Sequence, residues 1–373
     1  MLRPLAFGLA CVAATITVST MAAADQLVFL GTYTRGGSSR GIYTVRFDPA
    51  QGTFRAPTVV ADVKDPTFLT LSADRRHLYS VSAATASIHA FAVDPASGAL
   101  TPLNQQPTGS AGPCDLRLDA TGRLLLAANY GGGSMSAFPV AADGTLGERS
   151  ALFQFEGKGP YPGRQEGPHA HGITYSPDNR FVLVPDLGTD QVMIYAVDPA
   201  AGRVTPHTPA FAALPPGSGP RHATFSPDGR HVYVINELAN TVTAFAYDAA
   251  AGTLDPLETL STLPPDFKQP NTTAEIAVHP RGHTVYASNR GHDSLALYTR
   301  DAATGRLTFR THVPTRGKAP RHFTLTPDAQ WLIAANQDSD SLTVYRVDPQ
   351  TGDLTPHGEP FTVARPVCVL FAE

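Results

Sequence analysis

The sequence contains little cysteine, little tryptophan and little charge, and these scarcities narrow the classes of protein to consider. Only three of the 373 residues are cysteine and one is tryptophan. Three cysteines cannot build the dense disulfide framework of a small secreted domain. Charged residues make up 16% of the chain, the net charge is −4, and no basic patch stands out. A nucleic-acid partner is therefore not expected.

Long apolar runs and long helical periodicity are also missing. The apolar stretch from Leu5 to Val18 is shorter than the roughly 20 residues that a membrane span requires. It follows Arg3 and precedes Ala22-Ala23-Ala24, which is the pattern of a secretory signal peptide with its cleavage site. The sequence thus predicts a signal peptide over residues 1–24. The mature protein is expected to be periplasmic or secreted, without membrane attachment after cleavage.

The chain is rich in glycine (32 residues) and proline (33 residues), and it repeats one short unit. In the stretch from Gly219 to Pro256, the segments HVYVIN and TVTAFAY alternate with period two, as strands do, and Pro-Asp-Gly supplies the turn before them. Six copies of this unit align on that turn. Their first strands begin about 47 to 57 residues apart, which is typical of a β-propeller with four strands per blade. The six starting positions are Pro66, Pro113, Ala170, Pro220, Thr273 and Pro320.

The two ends of the chain supply a seventh copy. Residues 26–34 and 41–48 resemble second and third strands, and a fourth follows Gly52, but the innermost strand is missing there. Residues 365–371 have the inner-strand pattern. We therefore predict an all-β fold over residues 25–373: one domain, a seven-bladed propeller with four-stranded antiparallel blades. Pairing of the C-terminal strand with the N-terminal strands closes the ring and removes the free sheet edges.

Blade geometry predicts which residues meet. In an antiparallel meander the start of the first strand and the end of the second share one rim, and the Pro-Asp-Gly turns lie on the opposite rim. The first rim is rich in charge and imidazole, which would be costly to bury without a use. Its members are His169, His171, Arg221, His222, Glu237, Glu275, Arg290, Arg321 and His322. The alternative is that these arginines and glutamates pair between blades and only pin the ring.

Three further features bear on function. Asn289 is included as a candidate substrate contact, although an asparagine that recurs after a strand also suits a turn cap. His169 and His171 have the spacing of a metal pair, but no cysteine or third histidine follows at zinc spacing. We therefore expect no metal and no cofactor. The irregular stretch 156–167 (EGKGPYPGRQEG) separates two copies, and long loops of this kind are often functional.

Several motifs together resemble one family. In chain order they are FLGTYT, AANYGGGS, GPHAHG, GPRH, NEL and SNRGHDS. The chain from Leu27 to Phe371 is similar to the seven-bladed β-propeller lactonases, which include bacterial 6-phosphogluconolactonases and a fungal 3-carboxy-cis,cis-muconate lactonising enzyme. The resemblance implies an active site made of the histidine of GPHAHG, the arginine of GPRH, the glutamate of NEL and the arginine of SNRG. These are His171, Arg221, Glu237 and Arg290.

The resulting hypothesis is an enzyme, a carboxylic-ester hydrolase that opens a sugar-acid lactone without a metal. Arg221 and Arg290 would hold the substrate's anionic group and the developing oxyanion. His171 would act as general base and then as acid, and Glu237 would either orient His171 or be the base itself. Substrate contacts are expected from the remaining rim candidates His169, His222, Glu275, Asn289, Arg321 and His322.

Alternatives use the same rim. A cycloisomerase acting on a carboxy-muconate would move a proton at carbon with the same groups, and an exported binding propeller would have no catalytic site. The only partner expected of the enzyme is its small-molecule lactone, and the protein is expected to be monomeric.

Overall fold

The structure, a computed structural model, describes residues 25–372. The signal peptide predicted over residues 1–24 lies outside the described residues. Within them the regular structure is β-strand, apart from a single 3-10 turn at Gln337–Ser339. No helix in this part of the chain is long and apolar enough to cross a membrane.

The strands form seven antiparallel sheets, the blades of a propeller. The chain starts in blade 7 with β1 (Gln26–Thr32), β2 (Ile42–Asp48), β3 (Thr53–Phe54) and β4 (Thr58–Ala61). Blade 1 contains β5 (Leu69–Leu71), β6 (His77–Ser82), β7 (Ser87–Val93) and β8 (Leu100–Pro107). Blade 2 contains β9 (Pro113–Leu118), β10 (Leu124–Asn129), β11 (Ser134–Pro139) and β12 (Ala151–Gln154). Blade 3 contains β13 (Thr174–Tyr175), β14 (Phe181–Asp186), β15 (Gln191–Asp198) and β16 (Arg203–Ala213).

The remaining blades follow the same order. Blade 4 contains β17 (Pro220–Phe225), β18 (His231–Asn236), β19 (Thr241–Asp248) and β20 (Thr253–Ser261). Blade 5 contains β21 (Thr272–Val278), β22 (Thr284–Arg290), β23 (Ser294–Arg300) and β24 (Leu307–Pro314). Blade 6 contains β25 (Pro320–Leu325), β26 (Trp331–Asn336), β27 (Ser341–Val347) and β28 (Leu354–Thr362). The last strand, β29 (Pro366–Phe371), returns to blade 7.

Ring closure is confirmed. β29 pairs antiparallel with β1, from Val28 opposite Phe371 to Thr32 opposite Pro366. One detail differs from the prediction, because the fourth strand of blade 7 is split into β3 and β4, which both pair with β2. The break contains Pro57, and proline cannot donate a ladder hydrogen bond.

Neighbouring blades are joined by apolar packing and by buried aromatic donors. The hydroxyl of Tyr79 in blade 1 donates to a carbonyl in blade 2, and Tyr233 and Tyr286 make the same bond from blades 4 and 5 to the next blade, each at 2.8 to 2.9 Å. Trp331 Nε1 of blade 6 likewise donates to the Pro49 carbonyl of blade 7 at 2.9 Å. These side chains are almost completely buried, and fully burying a large apolar side chain is worth about 1.5–3 kcal/mol. These contacts therefore stabilise the ring at the blade interfaces.

A β-bulge recurs where the inner strands begin. In blade 4, Pro220 lies opposite Asn236 and His222 opposite Ile235, so Arg221 is the extra residue. The register shifts in the same way around Arg321, Cys114 and Val367 in blades 6, 2 and 7. A bulge bends the strand and re-aims the extra side chain. This local irregularity places the rim residues of successive blades around the axis.

Candidate active site

A cavity of about 450 Å³ opens on the rim where the inner strands begin, and every one of the seven blades contributes to its wall. His171, Glu237 and Arg290 line it, from blades 3, 4 and 5. Arg221 lies beside it and is 3% exposed. The other residues that line the cavity are Tyr33, Arg35, Thr67, Ala83, Gly112, Pro113, Cys114, Tyr130, Gly131, Arg164 and Arg321. A larger cleft, of about 610 Å³, lies at the Ser72–His77 and Thr121–Arg123 turns on the opposite rim, and none of the candidate residues lines it.

Glu237 is the centre of a cluster of guanidinium groups. Its Oε2 lies 2.8 Å from Arg290 Nη2 and 3.3 Å from Arg221 Nε, and its Oε1 accepts a 2.6 Å hydrogen bond from Arg164 Nη2. Arg221 and Arg290 also donate 2.6 Å bonds to the carbonyls of Ala274 and Thr273. These contacts fix both oxygens of the carboxylate and both strand arginines.

The charge of Glu237 follows from this cluster. Burial raises the pKa of its carboxyl, but Arg290, Arg221 and Arg164 outweigh burial and hold the pKa at about 2. A carboxylate with that pKa is a poor proton acceptor near neutral pH, and its oxygens are occupied by arginines rather than by His171. Neither role predicted for Glu237, the general base or the group that orients His171, fits this geometry. The carboxylate instead holds three positive side chains together.

His171 has a different partner. Its Nδ1 lies 3.7 Å from the Sγ of Cys114, and that thiol also approaches the carbonyl oxygens of Ala170 and His171 at 3.6 Å. The imidazole packs edge-on against Tyr130 and His222, with ring centroids 5.3 and 5.4 Å apart. Burial, together with Arg221, His222 and Arg321, lowers the pKa of His171 well below its usual value. The ring is therefore neutral near pH 7 and has a free lone pair for a proton, and its lowered pKa makes it a weaker base than an ordinary histidine.

Three of the predicted substrate contacts form a separate layer that does not line the cavity. His222 Nδ1 lies 3.1 Å from both oxygens of Glu275, and His322 Nε2 lies 3.7 Å from Glu275 Oε2. The ring of Phe68 packs edge-on against both imidazoles. Although burial raises the pKa of Glu275, His222 and His322 bring it to about 2. These groups are buried and are not among the residues that line the cavity.

Two further candidates also lie away from the cavity. Asn289 is completely buried, accepts a 2.7 Å bond from Thr262 Oγ1 and donates to the Thr262 carbonyl. Its inclusion as a substrate contact does not fit the structure, because its side chain is used to hold the turn between blades 4 and 5. His169 stacks on Tyr130, with ring centroids 4.4 Å apart, and its Nδ1 lies 2.8 Å from the Tyr130 carbonyl. It backs a residue of the cavity wall without reaching the cavity. Arg321, by contrast, lines the cavity as expected.

Arg164 was not among the residues predicted from the sequence, and the structure places it in the cavity wall. Arg164 lies in the loop between blades 2 and 3, and besides Glu237 its Nη2 reaches the Tyr130 hydroxyl at 3.3 Å. The neighbouring Gln165 is 1% exposed and donates to the Leu187 carbonyl and to Asp190 Oδ1 at 2.7 and 2.8 Å. The loop is thereby anchored, and Arg164 is held across the cavity. The only available sequence signal was the length of the loop.

The cavity wall carries more positive than negative side chains, although the whole protein has a net charge of −4. The lining side chains include four arginines, at positions 35, 164, 290 and 321, and a single carboxylate, that of Glu237. Such a wall attracts an anionic small molecule. Among the described residues no group of three or more histidine, cysteine or acidic side chains is arranged to hold a metal ion.

Comparison with known proteins places the chain in a family. The model of the family described as "Lactonase, 7-bladed beta-propeller" matches residues 27–371. The chain belongs to the seven-bladed β-propeller lactonase family. A lactonase is a carboxylic-ester hydrolase, so the prediction of an enzyme of that class is confirmed.

Individual relatives of this lactonase cover nearly its whole length. A 6-phosphogluconolactonase of Bacillus subtilis is 35% identical, over 92% of this chain and 97% of the relative. A 6-phosphogluconolactonase of Formosa agariphila is 32% identical, over 82% of this chain and 88% of the relative. Among solved structures, a periplasmic gluconolactonase of Pseudomonas aeruginosa is 34% identical, with a TM-score of 0.88 over 93% of this chain and 99% of the other.

Proposed function

We propose that the protein hydrolyses a sugar-acid lactone of the 6-phosphogluconolactone type in the cavity at the rim. The observation that carries this proposal is the shared cavity itself, in which a neutral, buried imidazole faces the same space as Arg164 and Arg290. Hydrolysis needs a proton acceptor and a site for negative charge next to each other, and this cavity supplies both. The names of the family and of its relatives support the same reaction.

The proposed chemistry uses side chains alone. Water attacks the lactone carbonyl carbon while His171 accepts its proton, and the carbonyl oxygen becomes a tetrahedral oxyanion. The guanidinium groups of Arg290 and Arg164 stabilise this negative charge. The ring C–O bond then breaks, His171 returns the proton to the departing alkoxide, and the product is the open hydroxy acid. Glu237 takes no proton and holds Arg221, Arg290 and Arg164 in place.

Rates on a panel of lactones test the proposal. The panel contains 6-phosphoglucono-1,5-lactone and glucono-1,5-lactone, assayed by acid release against spontaneous hydrolysis, with and without a chelator. Catalysis that is unchanged by the chelator supports the proposal, and rates equal to the uncatalysed ones for every lactone would end it. 3-Carboxy-cis,cis-muconate is included with product analysis, because a cycloisomerase would consume it and release a lactone.

We also infer export of the mature chain as a monomeric propeller that begins at Asp25. The leader pattern of residues 1–24 supports this, and one similar structure is described as periplasmic. N-terminal sequencing of protein recovered from the periplasm should begin at Asp25, and size exclusion should give the mass of one chain. An intact Met1 in the recovered protein would contradict processing.

A further inference from the structure

The wall of the cavity opposite His171 contains an aromatic ring surrounded by arginines. The guanidinium carbons of Arg35, Arg321 and Arg365 lie 4.8, 5.4 and 5.8 Å from the centre of the Tyr33 ring. Tyr33, Arg35 and Arg321 line the cavity. They belong to blades 7 and 6, across the ring from His171 in blade 3, and blade 6 adjoins blade 5, which carries Arg290.

The charges in this group are only partly compensated. Arg35 Nε lies 3.4 Å from Asp65 Oδ2, and Arg365 Nη2 lies 3.6 Å from Asp338 Oδ1. Within residues 25–372, the Arg321 side chain forms no ion pair and no hydrogen bond, and its contact is with the Tyr33 ring. Burial lowers the pKa of Arg321, but Tyr33 and Glu237 outweigh burial and raise it, so the guanidinium is charged. Arg321 is half-buried, and because its guanidinium is bonded to no carboxylate, a bound anion can approach it directly.

The arginines paired with Glu237 are less free to turn toward a distal anion. Arg221 and Arg290 are held by Glu237 and by the carbonyls of Ala274 and Thr273, and Arg164 bonds to Glu237. The role of holding the substrate's distal anion, which the sequence assigned to Arg221 and Arg290, therefore falls to Arg321, and Arg290 and Arg164 are left to face the ester. A planar guanidinium suits a phosphate or a carboxylate by geometry as well as by charge.

We propose that Tyr33, Arg35 and Arg321 form a subsite for an anionic group at the end of the substrate away from its ester. The inference rests on the proposed function and names the substrate class: a lactone with a phosphate or carboxylate on its distal carbon. The ester then faces His171 and Arg290, and the distal anion faces Arg321.

Binding of three open-chain products tests this subsite without turnover. Gluconate, glucarate and 6-phosphogluconate carry a hydroxyl, a carboxylate and a phosphate on the distal carbon, and calorimetry gives the affinity of each. We expect one or both distal anions to bind more tightly than gluconate. Arg321→Gln should weaken binding of the distal anion by about 10- to 100-fold, the range for loss of a charge-assisted contact, and leave gluconate binding unchanged. The ligand that loses more identifies phosphate or carboxylate as the group recognised.

Controls separate the subsite from general charge and from folding. Arg35→Gln should have a smaller effect in the same direction, because that side chain is 70% exposed and paired with Asp65. Arg40→Gln removes a charge from the same β1–β2 connection at an exposed position outside the cavity, and it should change no affinity. Thermal unfolding of each variant checks that the propeller is intact.

The outcomes for the subsite and for hydrolysis are distinguishable. If the wild-type protein cleaves lactones but binds all three acids equally, or if Arg321→Gln weakens all three equally, the subsite proposal is overturned and hydrolysis stands. If distal anions are preferred through Arg321 but no lactone is cleaved, the subsite stands and the proposed hydrolysis fails.

Discussion

Arg164 Nη2 donates a 2.6 Å hydrogen bond to Glu237 Oε1, joining the loop after blade 2 to the end of β18 in blade 4. The bond passes over blade 3, which carries His171, and a loop residue thereby becomes part of the cavity wall. It also gives Glu237 a third guanidinium partner, in addition to those on β17 and β22.

Arg164→Gln should reduce lactone hydrolysis more than it reduces stability. The guanidinium is one third exposed and belongs to an anchored loop, so its loss leaves the fold intact, whereas the oxyanion loses one positive group. Removal of one such donor typically lowers kcat by about 10²–10³-fold. Steady-state kinetics and thermal unfolding of the same preparation check this. Arg164→Lys, which keeps the charge, should recover part of kcat, and an unchanged kcat in Arg164→Gln would contradict the role.

Glu237→Gln should destabilise the protein as well as inactivate it. The substitution leaves Arg221 and Arg290 buried next to each other without their counter-ion, and breaking a buried ion pair typically costs about 3–5 kcal/mol. Chemical denaturation at pH 7 measures the free energy of unfolding. If Glu237 were the general base, activity would be lost with stability retained, and that result would refute the assignment made here.

The pH dependence of stability gives a second check on Glu237. Its pKa is held near 2 in the folded protein, below the ordinary value of 4.5. A lowered folded-state pKa contributes stability that is present above pH 4.5 and is lost as the pH falls toward 2. The wild-type protein should therefore lose stability over this range, and Glu237→Gln should lose less. Parallel curves for the two proteins would show that the carboxylate is not stabilised by its arginines.

Protonation of His171 should determine how lactone hydrolysis falls off at acidic pH. The active form is the neutral imidazole, and its pKa is lowered below the ordinary 6.5 by burial and by Arg221 and His222. Activity should rise with pH through a midpoint below 6.5 and stay level at neutral pH. His171→Asn should remove this acidic fall-off together with most of kcat, typically a loss of about 10²–10⁴-fold for an acid–base residue. A midpoint above 6.5 would mean that another group carries the proton.

Asn289 was predicted from the sequence to contact substrate, but the structure places its side chain away from the cavity. Because its side chain bonds to Thr262 rather than to the cavity, Asn289→Ala should cost about 1–3 kcal/mol of stability for the buried partner left unpaired. KM should not change. A raised KM with full stability would restore Asn289 as a substrate contact.

The propeller could be predicted because its signals are local and repeated. Alternating strands and Pro-Asp-Gly turns recur with one period, and in blade 4 the turn forms as expected, with Ser226 Oγ bonded to Asp228 Oδ1 and Gly229 at φ 68°. The prediction that the starts of the first strands and the ends of the second strands share one rim followed from strand direction alone. It correctly brought His171, Glu237, Arg221 and Arg290 to one place.

The contacts within the site could not be predicted in the same way. Counting residues from the turn does not reveal the β-bulge at Arg221. Arg221 and His222 were therefore both expected to reach a substrate. Arg164 reaches Glu237 from a loop outside the repeat, and loop conformation has no period to read. The pairing of Glu237 with three arginines, rather than with His171, depends on side-chain geometry that spacing does not contain.

Substrate is expected to bind in the cavity at the rim, between His171 and Arg321. A crystal structure of the protein grown with 6-phosphogluconate tests it most directly. We expect the carboxylate of this product next to His171 and Arg290 and its phosphate next to Arg321 and Tyr33. Product bound instead in the cleft at the Ser72–His77 turn on the opposite rim, or an empty cavity at saturating product, would contradict the account.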